Sequence, residues 1–110
     1  MRYSVVSTTL PGRARARAMA KRIVGRRLAA CVQAFRIHSI YRWKGHVESA
    51  DEFLLLIKTR QSLVKKLTAY IRASHPYELP EITETSIRGG LAKYLQWIGQ
   101  ETTSNKGGRA

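Results

Sequence analysis

Cys31-Val32-Gln33-Ala34-Phe35-Arg36-Ile37-His38-Ser39-Ile40-Tyr41-Arg42-Trp43, then Lys44-Gly45, then a return through Phe53-Leu54-Leu55-Leu56-Ile57-Lys58-Thr59, is the stretch that decides the fold. On the first arm Phe35, Ile37, Tyr41 and Trp43 alternate onto one face, and Arg36, His38 and Arg42 take the other. That period of two belongs to a β-strand. Lys44-Gly45 is a hairpin turn signal, because glycine accepts a positive φ without strain. The return arm runs from His46 to about Thr59, and its unbroken apolar run Phe53–Ile57 predicts a strand buried on both faces. Each arm is about 13 residues long, so at about 3.3 Å per residue it reaches on the order of 40 Å. A domain of about 100 residues has a radius of gyration of only about 13 Å. The hairpin must therefore bend, overhang or pair with another chain. Tyr41 and Trp43 near its tip would be exposed on a monomer, and long edges with aromatic patches are costly in water. The expectation is an oligomer whose sheets join through the hairpin, with Tyr41, Trp43 and Gly45 at the junction.

The flanking segments complete the order. Residues 3–9, rich in β-branched and aromatic side chains, read as a strand that Pro11-Gly12 breaks. Ala16, Met19, Ala20, Ile23, Val24 and Leu28 then recur at helical spacing, with arginines filling the remaining arc. After the hairpin, Leu63, Leu67, Tyr70 and Ile71 mark a second helix, which His75-Pro76 ends because a residue before proline is pushed out of the α region. A short strand is expected around residues 81–87, and Leu91, Tyr94, Leu95 and Ile98 mark a last helix after Gly89-Gly90. The order β-α-β-β-α-β-α predicts an α+β, ferredoxin-like βαββαβ(α) sandwich with an extended hairpin between its second and third strands. One domain over residues 1–101 is expected, with a flexible polar tail over 102–110.

Composition narrows the function classes. The chain has 110 residues, 20 Lys+Arg, 7 Asp+Glu, 3 His and 1 Cys, for a net charge of +13. A single cysteine excludes an intramolecular disulfide framework and a Cys-only zinc site, and fits a reducing, cytoplasmic setting. No apolar run approaches the roughly 20 residues that span a bilayer, and the first residues are too short and strand-like for a signal peptide. The charge is uneven: residues 1–47 hold 11 Lys or Arg and no acid, and all 7 acids lie between Glu48 and Glu101. Such a balance raises the question of a nucleic acid or another anionic surface, with Arg13, Arg17 and Arg22 as anion contacts.

Chemistry-bearing residues are sparse. Cys31, in Leu28-Ala29-Ala30-Cys31-Val32, has the surroundings of a small buried hydrophobe. No Gly-x-Gly-x-x-Gly, Walker-type phosphate loop or Gly-x-Ser-x-Gly elbow is present. Available metal ligands are Cys31, His38, His46, His75 and the acids Glu78, Glu81 and Glu84, but no segment spaces them as a cage. A thiolate with an imidazole would favour copper or zinc over magnesium. The densest cluster is His75-Pro76-Tyr77-Glu78-Leu79-Pro80-Glu81-Ile82, where two prolines four apart hold imidazole, phenol and carboxylates at fixed relative positions. It reads equally as a site or as a rigid helix-to-strand connector.

These residues carry a resemblance. Thr8-Thr9-Leu10-Pro11, Leu28-Ala29-Ala30-Cys31-Val32, Ser39-Ile40-Tyr41-Arg42-Trp43-Lys44-Gly45, Ile57-Lys58-Thr59, His75–Ile82 and Tyr94-Leu95-Gln96-Trp97-Ile98 together resemble the CutA family of divalent-cation tolerance proteins, over about residues 3–100. The resemblance implies a homotrimer laid out like the PII signalling proteins, non-enzymatic, with copper or another divalent metal as its ligand class. By resemblance His75, Glu78 and Cys31 are the metal-ligand candidates, and Tyr77, Pro76, Pro80 and Glu81 line a cleft. Thr8 and Ser74 stand where some bacterial members carry a further Cys and His, which removes two soft ligands. The Arg-rich first helix departs from the more acidic one usual in the family.

The leading expectation is a trimeric protein of metal-ion response. Two alternatives are weighed: a basic nucleic-acid-binding module using the Arg-rich helix, and a PII-like small-ligand sensor. Readout on the sheet face is disfavoured, because Phe53–Ile57 lacks the Lys/Arg-Gly-Phe/Tyr pattern of RNA-recognition strands. A phosphatase on this fold would need an anion-cradling loop, and only Leu10-Pro11-Gly12-Arg13 approaches one. No membrane partner is expected.

Overall fold

The computed structural model describes residues 1–103. In chain order the elements are β1 (Tyr3–Leu10), α1 (Arg13–Gly25), β2 (Cys31–Trp43), β3 (His46–Arg60), a 3-10 turn (Gln61–Leu63), α2 (Val64–Ser74), β4 (Thr83–Ile87) and α3 (Ala92–Glu101). The strands form one antiparallel sheet in the order β2-β3-β1-β4, the ferredoxin-like arrangement that the element order predicts.

Alternation along β1 and β3 sets the two faces. Val6, Leu10, Leu55 and Ile57 point to one side and pack with Ala16, Met19 and Ile23 of α1 and Leu67 and Ile71 of α2. This is the core, and each of these side chains is at most 1% exposed. The expectation that Phe53–Ile57 is buried on both faces holds only in part within one chain: Leu54 and Leu56, on the opposite face, are half-buried. Both long helices lie on one side of the sheet. Only α3 approaches the other side, where Gly99 abuts the Tyr3 side chain and the Lys58 ammonium lies 5.5 Å from the Tyr94 ring.

Local signals explain the boundaries. α1 ends at Gly25, earlier than its apolar stripe suggests. Arg27 takes a left-handed φ of 61°, and the Leu28 and Arg27 N–H groups donate back to Ile23 and Val24, the bonding of a Schellman turn. Leu28 is thereby buried from the turn and not from the helix. The hairpin turn uses Lys44 at φ 50° and Gly45 at φ 84°, the paired positive φ values of a type I′ turn. His75 is extended (φ −82°, ψ 138°), as its place before Pro76 requires. The last strand begins at Thr83, so Glu81 and Ile82 belong to the loop before it.

The start of the expected tail is not loose. Thr102 is 3% exposed. The Arg60 guanidinium donates to its carbonyl, to its hydroxyl oxygen and to the Gly99 carbonyl, and Thr103 N–H donates to Arg27. Residues 104–110 of that tail lie outside the described residues. Inside the core, the Thr59 hydroxyl donates to the Leu28 carbonyl at 2.7 Å. Thr59→Val keeps the shape and strands that carbonyl, and should lower stability by about 1 kcal/mol, read as a lower urea midpoint at unchanged m.

β1 stops at Leu10, opposite Phe53, whereas β2 and β3 stay paired out to Trp43 and His46. Beyond Phe53 the hairpin therefore projects without a third strand, and the molecule measures 43 × 28 × 22 Å. On this arm Tyr41 stands exposed on one face and Ile40 (71% exposed) and Val47 (67%) on the other, and Phe35, opposite Leu54 at the base of the arm, is exposed on the Tyr41 face. Trp43 is half-buried, with the Lys44 ammonium 5.4 Å from its ring.

Candidate functional site

The segment after α2 fills the angle left where β1 stops and the hairpin continues. His75 is fixed at its start. Its Nε2 lies 2.8 Å from the Thr9 carbonyl oxygen, which can only accept, so Nε2 carries the proton. The other nitrogen, Nδ1, accepts from the Tyr77 backbone N–H at 3.1 Å. The ring is thus the neutral Nε2–H tautomer, with both nitrogens engaged. Burial holds its pKa below the ordinary 6.5, against the opposing pull of the Thr9 carbonyl and the Glu52 charge.

Tyr77 turns its hydroxyl to Glu52 on β3 and donates to Oε2 at 2.7 Å. Glu52 is 8% exposed, an unusual depth for a carboxylate. Burial, with the Glu52 carboxylate accepting from the phenol and Tyr41 nearby, pushes the Tyr77 hydroxyl far above its ordinary value. The His75 and Tyr77 rings lean together with centroids 5.0 Å apart. Further along, Glu78 reaches Lys44 at the hairpin tip, Oε1 to Nζ 3.8 Å. Pro76 and Pro80 bracket this stretch, so β1, β3 and the tip are all tied to one rigid loop.

The ligand set implied by the resemblance does not assemble within one chain. Cys31 pairs with Lys58, whereas His75 bonds at Thr9, whose partner is Leu54. Four residues along a strand separate the two levels, about 13 Å. Glu78 is exposed and turned to Lys44. Among the described residues no three His, Cys, Asp or Glu side chains come close enough to hold a metal ion. With no free lone pair on His75, these residues do not fit a copper centre in the single chain. Glu81 is exposed and takes no part in the bonding around His75.

Sequence reasoning missed Glu52 and Thr9. The only signal for Glu52 was an acid set against an apolar run, and Thr9 contributes a carbonyl that any residue would supply. A cleft of about 270 Å³ lies on the helical side, lined by Pro11, Gly12, Arg13, Arg36, Asp51, Glu52 and Phe53. Its charged lining residues, Arg13 and Arg36 with Asp51 and Glu52, are two of each sign. Asp51 accepts from His38 at 2.7 Å and pairs with Arg36 at 3.6 Å. The His38 hydrogen bond, with lesser help from the nearby Arg36 guanidinium, holds its carboxyl below the usual range. Of the anion candidates, Arg13 lies against the Phe53 ring and Arg22 donates to the Tyr70 hydroxyl. Arg17 is exposed.

Comparison with known proteins agrees with this geometry. The family model described as CutA1 divalent ion tolerance protein matches residues 4–101. "Protein CutA, chloroplastic" of Arabidopsis thaliana is 46% identical over 99 residues, covering 89% of this chain and 54% of that protein; the chain thus spans about half the length of that relative. The "Divalent-cation tolerance protein CutA" of Thermus thermophilus is 43% identical over 99 residues, 89% of this chain and 96% of its own. The crystal structure of CutA1 from Oryza sativa superposes with a TM-score of 0.92 at 39% identity, covering 96% of this chain and 97% of that one. By its sequence match, its sheet order, its overhanging hairpin and its His75–Ile82 loop, the chain belongs to the CutA1 divalent ion tolerance family.

Proposed function

We propose that the chain is the subunit of a homotrimer that acts in the response to divalent metal ions without catalysing a reaction, and that His75 serves there as a fixed part of the fold and not as a metal ligand. The observation that carries the assembly is the two-sided apolar arm. Phe35 and Tyr41 on one face and Ile40 and Val47 on the other stand in water unless another chain covers them. A closed ring of three copies, each arm lying against the next sheet, leaves no arm exposed. Among the described residues no helix is long and apolar enough to cross a membrane. A reducing compartment such as the cytoplasm suits the single thiol of Cys31, although relatives bear names from other compartments.

Copper or another divalent ion is the ligand class that the family relation suggests. The experiment is calorimetric titration of the purified assembly with copper(II), wild type against His75→Ala. Losing the ring leaves Thr9 and Tyr77 backbone groups without partners, so His75→Ala should cost about 1–2 kcal/mol. In a domain of this size that lowers Tm by several degrees, on the order of 4–8 °C per kcal/mol. The copper isotherm should not change. An isotherm flattened by His75→Ala would restore His75 as a ligand.

The pH dependence follows from the same geometry. The folded-state value of His75 lies below the unfolded 6.5, so the unfolded chain takes the proton first as pH falls. The neutral ring's contribution is complete above about 6.5 and is lost as pH drops from there toward the folded value.

A further inference from the structure

The two long helices present a surface without a single acid. α1 and α2 pack side by side on the sheet, where the Arg22 Nε donates to the Tyr70 hydroxyl at 3.1 Å and the Arg26 guanidinium lies 4.9 Å from the Tyr70 ring. Neither helix contains Asp or Glu, and neither do residues 1–47 and 53–77 as a whole. The core-facing positions Ala16, Met19 and Ile23 place Arg13, Arg17 and Lys21 along one flank of α1 and Arg15, Arg22 and Arg26 along the other, all exposed. Lys65, Lys66 and Arg72 add three exposed cations from α2. Among the described residues the ion pairs of Lys and Arg involve Arg27, Arg36 and Lys44, so none of these nine forms an ion pair, and only Arg13 shares a cleft with acids, Asp51 and Glu52.

Spacing and chemistry select the partner. Arg13 to Arg26 covers about 20 Å of helix at about 1.5 Å per residue. Each flank carries three cations over that length, one per roughly 6–7 Å, which matches every second phosphate of a duplex strand at about 3.4 Å per phosphate along the axis. Arginine forks match phosphate oxygens in pairs. A membrane-surface helix instead sinks an apolar face into lipid, and the apolar faces of α1 and α2 are already spent on the core. Val24 is the only large apolar side chain exposed on either helix. Protein partners would find little apolar anchorage on this surface, because the partly exposed Tyr70 ring is already engaged by Arg22 and Arg26.

We propose that the α1–α2 face binds the phosphate backbone of double-stranded nucleic acid without reading its sequence. This goes beyond the metal-response reading and does not depend on it.

The test is fluorescence anisotropy of a labelled random-sequence duplex, titrated with the full chain at several salt concentrations. Two charge-matched triples are compared, Arg15→Gln/Arg17→Gln/Lys21→Gln on the helical face and Arg2→Gln/Arg88→Gln/Lys93→Gln away from it. Wild type should bind with a Kd of about 1–100 µM near physiological salt. The helical triple should weaken binding at least about tenfold and flatten the slope of log K against log salt by about 2 to 3, with Tm retained. The other triple should change binding less than about threefold. Equal weakening by both triples would overturn the proposal, as would no binding at physiological salt. Tighter binding to polyglutamate or to phosphatidylserine vesicles than to the duplex would overturn it in favour of an acidic protein or a lipid surface.

Discussion

Tyr77→Phe should destabilise the protein by about 2–3 kcal/mol, more than the loss of an ordinary surface hydroxyl. The reason lies with its partner. Glu52 is 8% exposed and accepts the Tyr77 hydroxyl at 2.7 Å. Deleting the donor leaves a buried carboxylate with its solvation lost and nothing in return, a cost of about 1–3 kcal/mol for a neutral group and more for a charged one. Glu52→Gln keeps an acceptor for the phenol and should cost less. Tyr77→Phe/Glu52→Leu removes both polar partners and should recover most of the loss, since replacing a pair by apolar groups is often near neutral. Urea midpoints for the three variants decide it. A double variant as unstable as the sum of its single substitutions would show that the pair is not coupled.

The second large effect concerns assembly. Ile40→Asp with Val47→Asp places two charges on one face of the projecting arm, at positions 71% and 67% exposed in the single chain. An isolated subunit would tolerate both with a change within about 0.5 kcal/mol. In the proposed trimer both aspartates would be buried against a neighbour, at a cost of several kcal/mol per unpaired charge. The expected result is dissociation to monomers with the far-UV spectrum retained. A variant that keeps the wild-type mass would place the interface elsewhere.

The fold was legible because its signals are local and redundant. Alternation through Phe35, Ile37, Tyr41 and Trp43 defined β2 and its faces, Lys44-Gly45 supplied the turn, and His75-Pro76 stopped α2 where the structure stops it. The same arithmetic that gave each arm about 40 Å announced the overhang. What failed to show were effects that need a third dimension. The unbroken run Phe53–Ile57 could not say that one of its faces waits half-covered. The stripe ending at Leu28 hid a left-handed Arg27. Thr102 looked like tail because nothing in its neighbours announced Arg60, 42 residues away in the chain.

The site was legible in outline only. Two prolines and the residues between them marked His75–Ile82 as rigid, and the loop is indeed fastened at three points, to Thr9, Glu52 and Lys44. Residue types alone made His75 a candidate ligand. Only the positions of the Thr9 carbonyl and the Tyr77 N–H show that both of its nitrogens are engaged, and no motif encodes that. Cys31 and His75 looked like partners in a list of ligands, yet strand register sets them about 13 Å apart along the sheet.

The central claim is that the projecting hairpin exists to join three copies, and the most direct test is the mass of the wild-type protein in dilute solution by light scattering. The account predicts a single species of about 37 kDa, three times the 12.5 kDa of one chain. A monodisperse species near 12.5 kDa would contradict it.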